Sequence, residues 1–274
     1  MADKARARAN DPRSEAAKSR DLISRGDYTS TPFGKTLFII LRSLDPFLQY
    51  SILAHGTGTG VLHRLGLRTL PPGPPIHTGV SLIDNLGLSP YRLILLAMTA
   101  GSALKQNIWV SGISGEPMDV KAATIVSAFN TVMNGLNNYA FLLTATSAST
   151  NSDFPQTPLV VGGALYVTGI LVELGAEMQR KRFKADAKNK GKPYTGGLWA
   201  LARHINYGAY TIWRGGYALA AGGWVWGAVV GAFFFADFAT RGVPILNEYC
   251  EKRYGADWEN FKKQTKYRLI PGIY

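Results

Sequence analysis

The stretch GGYALAAGGWVWGAVVGAFFFA, residues 215–236, runs for 22 residues without a charged side chain, bracketed by Arg214 and Asp237. At about 1.5 Å of rise per residue, a helix of that length reaches roughly 33 Å, enough to cross a hydrocarbon core of about 30 Å. Its glycines allow close approach of neighbouring helices in lipid. A soluble helical bundle also contains apolar runs, but one this long and uniformly uncharged reads as a membrane span.

Residues 154–172 form a second apolar stretch, ending at Glu173, with Pro155 and Pro158 suited to a helix start. Residues 122–152 are uncharged too, yet hold Asn130, Asn134, Asn137 and Asn138. Asn130, Asn134 and Asn138 recur every four residues and share one helical face, which in lipid should turn toward other helices or a polar cavity. Residues 94–104 are apolar but short, so the flanking Arg92 and Lys105 are expected to snorkel. Residues 35–62 are interrupted by Arg42, Asp45 and Pro46. The run LPPGPP at 70–75 is a stiff loop and the best internal boundary. These runs predict an all-α, multi-pass transmembrane helical bundle with about five to seven membrane helices. The mean hydropathy of -0.01 averages its spans with polar tails.

The chain carries 30 Lys and Arg against 18 Asp and Glu, a formal charge of +12. Such a balance favours polyanions: nucleic acid, anionic headgroups or a phosphorylated cofactor. Nucleic acid is set aside, because the basic residues alternate with long uncharged stretches. Seven Lys and Arg fall within residues 180–192, and another seven from Arg241 onward. With the basic residues 1–30, read as a disordered tail, the positive-inside rule assigns all three segments to the cytosol. Residues 31–172 then form the N-terminal transmembrane helices and 173–274 a basic, aromatic-rich C-terminal region that carries the candidate binding surface. Cys250 is the single cysteine, so no intramolecular disulfide or thiolate cluster forms. His55, His63, His77 and His204 are too scattered for a metal site. The N-terminus lacks the pattern of a cleavable signal peptide.

Three features of the C-terminal third carry chemistry, and each has a plainer reading. The 180–192 loop is either a clamp for phosphate oxygens or a loop obeying the topology rule. Arg203-His204-Ile205-Asn206-Tyr207 places four polar side chains beside the longest apolar span, as a polar site at a cavity mouth or part of an interfacial belt with Trp199, Tyr210 and Trp213. Glu173 and Glu177, one turn apart, either bind a cofactor or salt-bridge Arg180, Lys181 or Lys184.

The run GGLWALARHINYGAY, the apolar span after it, and the ending YCEKRYGADWENFKKQTKYRLIPGIY resemble the C-terminal region of the membrane steroid and sterol reductases. That group includes the steroid 5-alpha-reductases and the sterol C14 and C7 reductases, and the likeness covers roughly residues 170–274. It implies NADPH held in a cytosol-facing cavity of the helical bundle, without a Rossmann domain, in agreement with the missing GxGxxG. On this resemblance Asn206 bonds the cofactor, Glu177 falls at an acidic cofactor position and Glu173 replaces an asparagine. Lys184 contacts phosphates, Tyr254 lies near the cofactor, and Arg203, His204 and Arg268 belong to the same motifs. The departures are Ile205 for the motif's proline, Tyr210 where an acid is common, and Cys250 at the spacing of a basic residue.

The implied chemistry is NADPH-dependent reduction of a carbon–carbon double bond in a steroid, sterol or other isoprenoid-like lipid, in the endoplasmic reticulum membrane. Tyr207 and Tyr210 are the candidate catalytic donors, on position. The alternative is an S-adenosylmethionine-dependent methyltransferase of the isoprenylcysteine carboxyl methyltransferase type, which shares an RHPxY segment. A second alternative is a non-catalytic scaffold with the same fold.

Overall fold

The computed structural model describes residues 11–149 and 153–274, and it is helical throughout, with no strand among them. Four helical stretches are long and apolar enough to cross a membrane. In chain order the principal helices are α1 (Pro32–His55), α2 (Pro90–Ile108), α3 (Val120–Leu142), α4 (Thr157–Ala185) and α5 (Ile205–Asp237), then the shorter α6 (Val243–Tyr254) and α7 (Ala256–Gln264). Helix α3, at 23 residues, is long enough to span, but its asparagines dilute its hydropathy. The expected multi-pass helical bundle is what the chain forms.

The span that decided the fold class is not one rod. At Gly222 (φ −117°, ψ 15°) and Gly223 (φ 74°, ψ −171°) α5 leaves helical geometry. Gly223 takes a left-handed conformation that side-chain-bearing residues resist. The chain then folds back on itself. A Cβ on Gly227 would lie 2.7 Å from that of Leu219, and one on Gly215 would lie 3.4 Å from the Cα of Gly231. Tyr210 meets Phe234 at 5.3 Å and Tyr207 stacks on Phe238 at 4.4 Å between ring centroids. α5 is therefore a helical hairpin with arms 205–221 and 224–237. Its longer arm rises about 25 Å. The tip is held at the distal end of the bundle, where the Tyr91 hydroxyl donates to the Ala220 carbonyl (2.6 Å) and the Ala148 amide to the Ala221 carbonyl (3.0 Å). Hydropathy sees no break here, because both arms and the turn are equally uncharged.

With the hairpin counted as two, six helical segments alternate in direction among the described residues. The end opposite the tip gathers residues 11–31, the loop 109–119, the loop after α4 and everything from α6 onward. Ser14 bonds Glu248, Arg25 pairs with Glu116 and Lys184 reaches Tyr254. The described parts of the three basic segments thus share one face, as a single-sided topology requires.

Charged residues inside the bundle turn inward. Arg42, Asp45 and Pro46 do not interrupt α1, which runs unbroken through 24 residues. Arg42 donates to Asp45 (3.0 Å), both side chains being fully buried. Asp45 also accepts from Gln49 (2.9 Å) and Asn134 (2.7 Å). Arg214 donates to the side-chain oxygens of Asn134 (3.0 Å) and Asn130 and lies over the Trp213 ring at 4.3 Å. Gln49 accepts from Asn138 (2.9 Å), so the predicted asparagine face is an inward one. Arg92 and Lys105 do not snorkel. Arg92 donates to the carbonyls of Leu53, Leu70 and Pro71, and Lys105 pairs with Glu173 across the α2–α4 interface. A charge in hydrocarbon is satisfied more cheaply by a fixed partner than by stretching to water when one lies across the interface.

Helices α4 and α5 approach through glycines. A Cβ on Gly169 would sit 2.7 Å from both the Ala209 carbonyl oxygen and the Trp213 amide, which are backbone atoms that cannot swing aside. Gly169→Leu is expected to destabilise the bundle by about 1–3 kcal/mol through overpacking. Gly163→Leu, where an added Cβ meets only the Met98 methyl at 3.8 Å, is expected to be neutral. Thermal unfolding midpoints in detergent check the pair; equal shifts would show that the close approach is not limiting.

Candidate functional site

Helix α4 does not end at Val172 but continues to Ala185, because Glu173 and Glu177 are each paired. Glu173 accepts from Lys105 and from the Trp213 indole (2.7 Å). Glu177 accepts from Arg180 (2.6 Å) and the Asn206 amide (2.7 Å). The two carboxylates therefore part company: Glu173 ties α4 into the bundle, while Glu177 stands with Asn206 at its rim. Asn206 begins the first arm of α5, and its side-chain oxygen is buried with no hydrogen-bond partner. His204, two residues earlier, likewise leaves Nε2 buried and unpartnered.

Around Glu177 and Asn206 four elements close a ring. Residues 20–28 reach over as a strap, where Arg25 donates to Asp21 (2.9 Å) and Glu116 (2.8 Å). Lys181 of α4 donates to the Gly112 carbonyl in the loop before α3. Lys184 donates to the Tyr254 hydroxyl (3.0 Å) of α6 and lies 4.7 Å over its ring. Arg253 lies 5.8 Å over the same ring, and Gly26 of the strap packs against the Tyr249 hydroxyl and Arg253. Arg180 pairs with Glu177 and keeps its side chain 42% exposed. The result is a cluster bearing Arg25, Arg180, Lys184 and Arg253 as cations, with Glu116 and Glu177 as counter-charges. Lys184 and Arg253 have no ion-pair partner among the described residues.

Residues 11–27, expected within a disordered tail, are held in place instead. Arg13 binds Asp11 (2.7 Å) and Asp21 (2.8 Å) with its side chain almost fully buried, and Ser14 caps a short helix, Glu15–Ser19. Burial raises the Asp21 carboxyl, but Arg25 and Arg13 outweigh it and hold the group below the ordinary carboxylate range. The remainder of that tail, residues 1–10, lies outside the described residues.

The other expected site residues fall in two places. Arg203 turns away from Asn206 and donates to the Thr265 and Lys266 carbonyls, and Arg268 donates to the Tyr274 hydroxyl (2.8 Å). They clamp the C-terminal segment against the start of α5, with the His204 amide donating to the Arg268 carbonyl (2.8 Å). Tyr207 faces the strap, stacked on Phe238. Tyr210 lies one turn deeper, bonded to Arg214 (3.1 Å) and Asn130 (3.3 Å). Sequence reasoning missed Arg25, Glu116 and Arg253 as site residues, since single charges in polar segments read as solvated; Arg180 entered only within the 180–192 loop and as a salt-bridge partner.

Burial, with Arg203 nearby, pushes the His204 imidazole down to about 3, so the ring is neutral in the folded protein. The unfolded chain takes up that proton near pH 6.5. Between these values only the unfolded state is protonated, so stability is lost as pH falls below about 6.5, by about 2 kcal/mol at pH 5. His204→Gln is expected to flatten this part of the pH–stability curve, measured as thermal midpoints at pH 7.5 and 5. An unchanged slope would mean that His204 titrates normally.

Residues 117–265 match the family described as Protein of unknown function (DUF1295). The chain belongs to the DUF1295 family. That family lies within the steroid 5-alpha-reductase/sterol reductase-like superfamily, as the C-terminal motifs implied. The DUF1295 match takes in Glu173, Glu177, Lys184, Asn206 and Tyr254 and leaves out the strap. Over 240 residues the chain is 42% identical to a protein of Ustilaginoidea virens named Probable O-methyltransferase ustE, covering 86% of this chain and 84% of that one. It is 32% identical over 129 residues to the Delta(14)-sterol reductase erg24 of Schizosaccharomyces pombe, 40% of this chain and 29% of the relative. It is 34% identical over 92 residues to the 7-dehydrocholesterol reductase of Danio rerio, 32% of this chain and 18% of the relative. This DUF1295 chain thus spans less than a third of the sterol reductases it matches, but most of the named methyltransferase.

Proposed function

We propose that this protein is a membrane NADPH-dependent reductase of a carbon–carbon double bond in a lipid-like, isoprenoid-type substrate, with its cofactor cleft facing the cytosol. The carrying observation is the group of four cations, two of them without carboxylate partners, around a buried amide whose oxygen is unpartnered. A dinucleotide bearing a diphosphate and a 2′-phosphate suits that charge, and Lys and Arg bind such oxygens by charge-assisted hydrogen bonds. The orphaned Asn206 oxygen and His204 Nε2 suit the hydrogen-bonding edges of the same ligand. The match to sterol reductases supports the reading.

Bound NADPH would supply a hydride to one carbon of the double bond. Arg180, Lys184 and Arg253 would hold its phosphates, Arg25 would close the cleft from the strap, and Glu177 would fix the orientation of Asn206. Tyr207, whose hydroxyl has no hydrogen-bond partner among the described residues, is the donor placed to deliver a proton or to polarise a substrate oxygen. Glu173 would act through the bundle, by holding Lys105 and Trp213. By the positive-inside rule the basic face would turn this site toward the cytosol, and the membrane proposed is that of the endoplasmic reticulum.

A second reading is favoured by one observation: the relative covered over 84% of its length is named a probable O-methyltransferase. S-adenosylmethionine is a sulfonium cation without phosphates, so four cations suit it poorly. Titration of the detergent-solubilised protein with both cofactors separates the two. Saturable NADPH binding, weakened about 10- to 100-fold in Asn206→Ala, is expected. S-adenosylmethionine binding without NADPH binding would replace the reductase by the methyltransferase, and binding of neither would leave a scaffold.

A further inference from the structure

Next to the cationic cleft, on the other side of Tyr207, lies a second space. A half-enclosed cavity of about 190 Å³ is walled by Leu22 and Ile23 of the strap, Val126 of α3, Phe238 at the end of the hairpin, and Ile245 of α6. Its polar margin is made by Asp21, Arg25 and Arg241. Both arginines are already engaged, Arg25 with Asp21 and Glu116, and Arg241 with Asp237 (2.6 Å). The Tyr207 hydroxyl is not. One free phenol in a mostly apolar space can fix the oxygen of a lipophilic molecule, and little else there competes for it.

We propose that this cavity receives the reactive end of the substrate, and that the end is a single ring or a short branched chain carrying one oxygen, not a fused tetracycle. Volume sets the limit. An apolar protein cavity of about 150 Å³ binds benzene, so 190 Å³ holds one substituted six-membered ring or two isoprene units. A sterol nucleus, with about three times the carbons of benzene, needs roughly twice this volume to be enclosed. Position sets the chemistry. The Tyr207 phenol interacts electrostatically with Arg25 and Arg180, so an oxygen bonded to it lies near the cations proposed to hold the cofactor. The strap is a wall of this cavity, and it lies outside the residues shared with the DUF1295 family. Substrate selection is therefore built partly from the N-terminal segment of this chain.

This inference rests on the reductase reading for its orientation, and the test separates the two. Carvone, a monocyclic ten-carbon enone, and cholest-4-en-3-one are titrated as tritiated probes against the full-length protein in nanodiscs, alongside NADPH. Empty nanodiscs correct for partition into lipid. Carvone is expected to bind saturably and cholestenone at least tenfold more weakly. Val126→Trp and Ile23→Trp, which fill the cavity from opposite walls, are each expected to reduce carvone binding at least tenfold while the NADPH affinity changes less than twofold. Tyr207→Phe is expected to weaken carvone about three- to tenfold, the loss of one hydrogen bond. Carvone binding that is absent in the wild type, or indifferent to both tryptophans, overturns the proposal, as does equal binding of cholestenone. Loss of NADPH binding in the wild type overturns the reductase reading instead, and the carvone arm still reports on the cavity.

Discussion

Asp45→Leu is expected to yield no folded protein in detergent, although it replaces a polar residue with an apolar one inside a membrane. Asp45 is 2% exposed and is the carboxylate that balances Arg42, while Arg214 is tied to it through Asn134. Arg42 already has Nε and Nη2 buried without partners. Removing the anion leaves two guanidinium groups in the interior with only neutral acceptors, and leaves the Gln49 and Asn134 amides only their longer bonds to the Thr131 carbonyl (3.3 Å) and the Ser102 hydroxyl (3.5 Å). Breaking a buried pair in this way costs about 3–5 kcal/mol, a large share of the stability of an ordinary domain. The double variant Arg42→Met/Asp45→Leu removes the uncompensated charge together with the carboxylate, and is expected to regain most of the loss. Size-exclusion profiles and thermal midpoints of the two variants check this. A well-folded Asp45→Leu single variant would mean that the pair is solvated or that Arg42 is not held inside.

The second large effect concerns the cleft. Arg180→Ala/Lys184→Ala is expected to weaken NADPH at least about 100-fold, since each charge-assisted contact contributes about 1.5–3 kcal/mol. Fold should survive. Arg180 is half-exposed, and Lys184 bonds only the Tyr254 hydroxyl and a backbone carbonyl. The same change is expected to leave S-adenosylmethionine binding unchanged or strengthened, because a cation would then meet less positive charge and a Glu177 carboxylate released from Arg180. Isothermal titration with both ligands gives opposite signs for the two readings. NADPH affinity unaltered in the double variant would remove the phosphate clamp.

The buried charges of the bundle interior each have a partner: Lys105 with Glu173, Arg42 with Asp45, Arg214 with the asparagines of α3. Unpartnered buried atoms occur there too, on Arg42 and Gln106. What sets the rim apart is that the open atoms of Asn206 and His204 stand near two cations without acids, the combination an anionic ligand would satisfy.

Apolar length, read from the sequence by itself, determined that this chain builds a helical membrane bundle, because the need to cover about 30 Å of hydrocarbon is a property of composition along the chain. The four-residue spacing of Asn130, Asn134 and Asn138 determined an inward polar face, since helical periodicity is local. The C-terminal motifs determined the superfamily for the same reason, being contiguous. Three things belonged to the tertiary structure. The 215–236 span became a hairpin at Gly222–Gly223, because hydropathy sums residues without regard to chain direction. Arg92 and Lys105 turned inward instead of toward water, because their partners, the Leu53 carbonyl and Glu173, stand far away in sequence. The N-terminal charges became a strap over the cleft, because Arg25 meets Glu116 only once α1 and α2 have brought the loop before α3 to the same face. Whether a charge is solvated or structural is decided by what lies across an interface.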